Sequence, residues 1–185
     1  AIKIIDLKDF CKKNKIHAIG LSDTKNLCGA LEFAENISKV GTQPIIGTQI
    51  NFKFKDQIGI LPIIANNFEG YKSIIGLSSK SYLENKTTDE PHCSFQELLN
   101  IKSGVTILSG SFRGLIGNLF AKNLLTEIDE VLKLIKDVFK DKFYLEIQRH
   151  NDVGEKLFEE FLLNKSNDLA IPLIATHEVF YLDKD

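Results

Sequence analysis

The sequence predicts an α/β fold in which helices alternate with short strands around a mainly parallel sheet. Two observations carry that prediction. Long stretches with apolar residues at helical spacing alternate with apolar runs too short for helices, the pattern that βα units impose. With 43% hydrophobic residues among 185, the chain can also bury a sizeable core.

The elements follow in order. Leu7 to Asn14 places Leu7, Phe10 and Cys11 on one helical face and leads into a strand, His17 to Leu21. Ala30 to Val40 reads as a helix stopped by Gly41. Gln43 to Phe54 and Ile58 to Ala65 read as two strands, joined as a hairpin around Lys55-Asp56-Gln57. Glu69 to Leu83 is a helix, and Glu84 to His92 a polar loop. Ser94 with Glu97 three residues on is a capping box, in which hydroxyl and carboxylate satisfy free amides at a helix start. Val105 to Ser109 is a strand and Leu115 to Asn123 a helix. Thr126 is the expected cap of the long amphipathic helix Ile128 to Phe139. Strand Phe143 to Gln148, helix Gly154 to Leu169 and strand Pro172 to Thr176 complete a set of about six strands.

Composition excludes several classes. Basic and acidic side chains number 23 and 25, so no net field draws the chain to phosphate backbones as in a stand-alone nucleic-acid binder. No apolar run approaches the roughly 20 residues of a bilayer span, and the amino end has no signal-peptide pattern. A cytoplasmic location without membrane contact is expected. Cys11, Cys28 and Cys93 are odd in number and widely spaced, which suits buried or bystander thiols in a reducing compartment. Methionine is absent, Ala1 stands first, and the end at Leu182-Asp183-Lys184-Asp185 is polar. Both ends read as boundaries of one domain, residues 1–185, cut from a larger protein. Lysine far outnumbers arginine, which occurs only at 113 and 149, a bias typical of an AT-rich genome.

In such folds reactive groups gather where strands end, because the loops vary while the strands hold them. The candidates are Ser22-Asp23-Thr24, Thr48-Gln49, Asn66-Asn67, Ser109-Gly110-Ser111, Gln148-Arg149-His150 and Thr176-His177-Glu178. Their polarity points to a shared rim around one crevice. Asp23, His150, His177 and Glu178 are the types that bind divalent or zinc ions. His17, at a strand start, and His92, in a loop, fit local hydrogen bonding better. There is no G-x-S-x-G elbow around Ser109 and Ser111, no G-x-G-x-x-G and no phosphate-binding loop. No catalytic constellation and no cofactor site is therefore expected.

The run Ala18-Ile19-Gly20-Leu21-Ser22-Asp23-Thr24-Lys25-Asn26-Leu27-Cys28-Gly29, followed by Pro44-Ile45-Ile46-Gly47-Thr48-Gln49, resembles a known family. So do Ala65-Asn66-Asn67-Phe68-Glu69-Gly70-Tyr71, Leu108-Ser109-Gly110, Phe143-Tyr144-Leu145-Glu146-Ile147-Gln148 and Pro172-Leu173-Ile174-Ala175-Thr176, in the same order. The resemblance is to the amino-terminal PHP (polymerase and histidinol phosphatase) domain of the bacterial DNA polymerase III alpha subunit. It implies a distorted β/α barrel, with a metal cluster at the carboxyl rim in members that keep the full ligand set. Those members look like metal-dependent phosphoesterases acting on 3′ ends.

This sequence departs from that pattern. The opening His-x-His segment is missing, so the barrel is expected to lack its first strand and to leave the His17 to Leu21 edge unpaired, inviting rearrangement, dimerisation or added pairing. Thr24 stands where metal-binding members have His, Gln49 where they have an acid, Ser111 where they have Cys, and Phe180 where they have His. His177 takes the place of an Asn. Asp23 and His150 match, and Glu178 substitutes for Asp, leaving three residual metal candidates. The expectation is no bound metal and a structural, partner-binding role. The resemblance implies as partners the rest of the polymerase alpha subunit, a proofreading exonuclease subunit, and DNA through the parent protein. The alternative is a residual metal-dependent phosphoesterase or 3′–5′ exonuclease, with a divalent metal as cofactor.

Overall fold

The computed structural model describes residues 2–182 except 87 and 102. Helix α1 (Ile4–Asn14) leads into β1 (Ala18–Thr24), and α2 (Ala30–Ser38) into the hairpin of β2 (Gln43–Phe54) and β3 (Gln57–Ala65). Helix α3 (Phe68–Leu83) follows, then β4 (Cys93–Ser94) and α4 (Phe95–Leu99). Strand β5 (Val105–Leu108), α5 (Leu115–Ala121) and α6 (Leu125–Phe139) come next, then β6 (Phe143–Ile147), α7 (Glu155–Leu169) and β7 (Leu173–Ala175).

The strands form one curled mixed sheet in the order β1-β2-β3-β5-β6-β7, with β4 paired to the far end of β2. β1 and β2, β5 and β6, and β6 and β7 run parallel, whereas β3 is antiparallel to both its neighbours. The short β4, unforeseen in sequence, occupies the two residues just before the capped helix, the second of them its N-cap. Its capping box is present: the Ser94 N–H donates to Glu97 Oε2 at 2.8 Å, and the Glu97 N–H donates to Ser94 Oγ at 3.3 Å.

Thr126 is not a cap. The α6 N-cap position is Leu124, which makes no side-chain bond, and Thr126 lies inside the first turn. The buried stripe Ile128, Val131, Leu132 and Ile135 fixes where α6 packs, and the helix begins at Leu125, one residue ahead of the threonine that looked like its cap.

The main core lies on the face of the sheet opposite the concave side, under α3 to α7. It includes Phe52, Leu61, Ile63, Ile74, Ile107 and Phe143, all fully buried. Each such side chain contributes about 1.5–3 kcal/mol of transfer free energy. A smaller cluster of Cys11, Phe33 and Ile37, with Ile19 and Leu21 against it, fills the space between α1, α2 and the same face of the sheet at β1. β1 pairs with β2 alone among the described residues, so within this chain the predicted open edge stays open, and no added pairing covers it.

The thiols differ as burial dictates. Cys93 donates to the Leu77 carbonyl at 3.2 Å, and burial pushes its pKa up to about 12. Burial also raises Cys11, whereas Cys28 is exposed. Iodoacetamide on the folded protein is expected to label Cys28 alone, read by peptide mass mapping. Labelling of Cys93 at a comparable rate would contradict this packing.

Candidate functional site

The curl of the sheet brings Thr24, Gln49, Ser111, His150 and Glu178 around one cleft of about 200 Å³, with Glu146 at its floor. Thr24 ends β1 and is the register partner of Gln49 in the middle of β2, so both point to the concave side. Ser111 follows β5 through Gly110, which has a φ of +79° and where a Cβ would lie 2.9 Å from the Ile60 carbonyl oxygen. A side chain at Gly110 would push the β5 end off β3, so the cleft wall requires glycine there.

The loop after β6 is pinned from several sides. The Glu155 carboxylate, at the start of α7, accepts from the His150 and Asn151 N–H groups at 2.9 and 2.8 Å. Arg149 forks onto Glu159 at 2.9 and 2.6 Å, and Arg113 onto Asp152 with two bonds of 2.8 Å. The guanidinium groups hold both Asp152 and Glu159 below the usual carboxylate range. Both arginines of the chain are thus spent on fixing the loop that carries His150. The His150 and His177 rings stack at 5.0 Å between centroids, and His150 Nε2 lies 3.0 Å from Gln148 Oε1.

Two predicted rim positions lie elsewhere. Strand side chains alternate between faces, so with Thr24 turned into the cleft Asp23 turns to the convex side. There a Cβ at Gly29 would meet Asp23 Oδ2 at 3.5 Å and Leu21 Cδ2 at 3.6 Å. Of the three residual metal candidates, His150 and Glu178 come together in the cleft and Asp23 does not. Asn66 and Asn67 sit at the opposite end of the sheet, because β3 runs against β2 and β5. They are structural: Asn67 accepts from the Gly70 N–H at 2.9 Å to cap α3, and Asn66 accepts from Thr106 Oγ1 at 3.0 Å. His92 is also local, its Nδ1 lying 2.7 Å from the Glu90 carbonyl oxygen, and His17 is an exposed residue ahead of β1.

Sequence reasoning missed Glu146 as a site residue. It is 3% exposed, and its N–H donates to Ser109 Oγ at 2.9 Å. Its Oε1 accepts from Thr176 Oγ1 and from Gln148 Nε2, while Oε2 has no partner among the described residues. A carboxylate inside the otherwise apolar run Phe143–Ile147 was the available signal. Burial raises its pKa above the ordinary 4.5, against the pull of the Thr176 and Gln148 bonds.

The sign of the pH effect follows. The unfolded chain loses this proton near pH 4.5, while the folded chain holds it to higher pH, so stability falls as pH rises above 4.5 toward the folded pKa. Glu146→Gln is expected to flatten that fall in thermal midpoints measured from pH 4 to 8. A wild-type and variant that track each other would disprove the assignment.

The donor set does not fit a cluster of cations. Gln49 Nε2 donates to Glu178 Oε1 at 2.9 Å, so an amide N–H stands where a second anionic oxygen would have to be. Ser111 Oγ accepts from the Arg113 N–H at 3.3 Å. No group of three or more His, Cys, Asp or Glu among the described residues is placed to share an ion.

Comparison with known proteins agrees with the fold. A solved structure of a Bifidobacterium adolescentis protein assigned as a metal-dependent phosphoesterase aligns over 95% of this chain and 81% of its own, with a TM-score of 0.58 and 12% identity, a likeness of fold. The DNA polymerase III subunit alpha of Rickettsia felis is 34% identical over all of this chain, and that of Haemophilus influenzae 31%. The chain spans only 15% and 16% of those two relatives. The PHP domain pattern matches residues 1–150, and with the curled mixed sheet and its rim cleft this establishes that the chain belongs to the PHP domain family.

Proposed function

We propose that this chain, residues 1–185, is the PHP domain of a bacterial replicative DNA polymerase III alpha subunit and acts as a non-catalytic structural and partner-binding module. The parent protein carries out DNA-directed DNA synthesis in the cytoplasm as a nucleotidyltransferase. The domain supports the rest of the alpha subunit, offers a surface to the proofreading exonuclease subunit, and meets DNA only through the parent protein. The observation that carries this reading is the Gln49–Glu178 hydrogen bond, which fills the rim with an internal contact where hydrolysis would need anionic oxygens free for metal.

Elemental mass spectrometry of the purified protein, with Glu178→Ala beside it, tests the proposal. Less than a tenth of an equivalent of manganese, zinc or iron in either protein is the expected result. Stoichiometric metal that falls in the Glu178→Ala protein would instead support a metal-dependent phosphoesterase or 3′–5′ exonuclease.

A further inference from the structure

We propose that the rim cleft is a receptor for the ammonium group of a lysine on a partner protein, with Glu146 and Glu178 as its carboxylate acceptors. This rests on the partner-binding reading above and gives it a location. Glu146 lines the cleft, is 3% exposed, and has an oxygen with no donor among the described residues. A buried carboxylate with an unmet oxygen calls for a donor, and the cleft it lines is the roomier of the two hollows beside it.

The charge balance of the cleft selects a cation. Arg113 is at its wall, but its guanidinium is committed to Asp152, and no lysine lines the cleft among the described residues. Glu146 remains, with Glu178, whose Oε1 already accepts from Gln49, and the charge on Glu178 helps push the Glu146 pKa up, a repulsion that a cation between them relieves. An ammonium fits better than a metal ion, because it donates hydrogen bonds and needs no full shell of anionic oxygens. It also fits better than a guanidinium, whose planar fork seeks two oxygens of one carboxylate, while Glu146 Oε1 is already taken by Thr176 and Gln148.

The rest of the cleft suits a lysine stem and the chain that bears it. Ile60 and Pro62 form an apolar side along which methylene groups can lie. Directly after Glu178 come Val179, Phe180 and Tyr181, 64%, 60% and 72% exposed, an apolar strip beside the acidic cleft.

The test is an NMR titration of the protein with N-acetyl-lysine methylamide, with the norleucine analogue and putrescine as comparators. Saturable shifts of the Gln49 and Gln148 side-chain amides are expected with the lysine compound, none with norleucine, and weaker binding of putrescine. Glu146→Gln and Glu178→Gln are each expected to weaken lysine binding about tenfold or more. Glu178 lies at the rim, so its variant remains informative if the buried Glu146→Gln fails to fold. No saturable shift, equal response to norleucine, or undiminished binding by the Glu178→Gln protein would overturn the proposal. Tighter binding of putrescine would overturn it too, by assigning the cleft to a free diamine. Elemental analysis of the same samples separates the two readings: bound metal counts against the non-catalytic role, whereas metal-free protein without lysine shifts counts against the lysine receptor alone.

Discussion

Gly70→Ala is expected to destabilise the protein by about 3 kcal/mol or more and to lower its melting temperature by roughly 6–12 °C. A Cβ at residue 70 would lie 1.7 Å from the Gly104 carbonyl oxygen and 2.5 Å from its carbon. These are backbone atoms, so no side-chain rotation relieves the overlap. Either α3 must lift or the approach to β5 must move. α3 carries Ile74 into the core, and the Asn66 N–H donates to the same Gly104 carbonyl at 2.8 Å, so either movement breaks further contacts. Gly76→Ala is the matched control. It lies on the same helix, a Cβ there meets nothing within 4 Å, and the helical cost of glycine is about 1 kcal/mol, so that substitution is expected to raise the melting temperature. Equal melting of Gly70→Ala and the unaltered protein would refute the close approach.

The second large effect is Phe143→Ala, expected to cost about 3–5 kcal/mol in denaturant unfolding. Phe143 is fully buried, opens β6 and pairs in register with Ile107 of β5. The cavity would sit under the strand that places Glu146 at the cleft floor and leads on to the loop of His150. The Glu146 shift with pH is therefore expected to shrink in this variant, because water entering beside β6 lowers the cost of ionisation. Val138→Ala, on the exposed face of α6, is expected to stay within about 0.5 kcal/mol of the unaltered protein. A loss as large at Val138 as at Phe143 would show that the core is not where the burial places it.

Much of the fold was legible because it depends on local periodicity. The β2–β3 hairpin, the Ser94–Glu97 box and the stripe of α6 are each written within a few residues, and each formed. The Thr126 cap was misread for the complementary reason. A threonine before an apolar stripe satisfies the local rule, yet packing of the whole stripe carried the helix start to Leu125.

The candidate site divides along the same line. By themselves the residues determined the alternation of strands and helices and the polar ends of the strands. Only the tertiary structure decided which of those ends share a rim. The reversal of β3 sent Asn66 and Asn67 to the opposite end, and alternation across β1 turned Asp23 away while keeping Thr24. Glu146 became a site residue only when the curl of the sheet buried its carboxylate against Thr176, thirty residues away. Strand direction, sheet curl and burial are set by contacts between segments distant in sequence, and no local pattern of side chains encodes them.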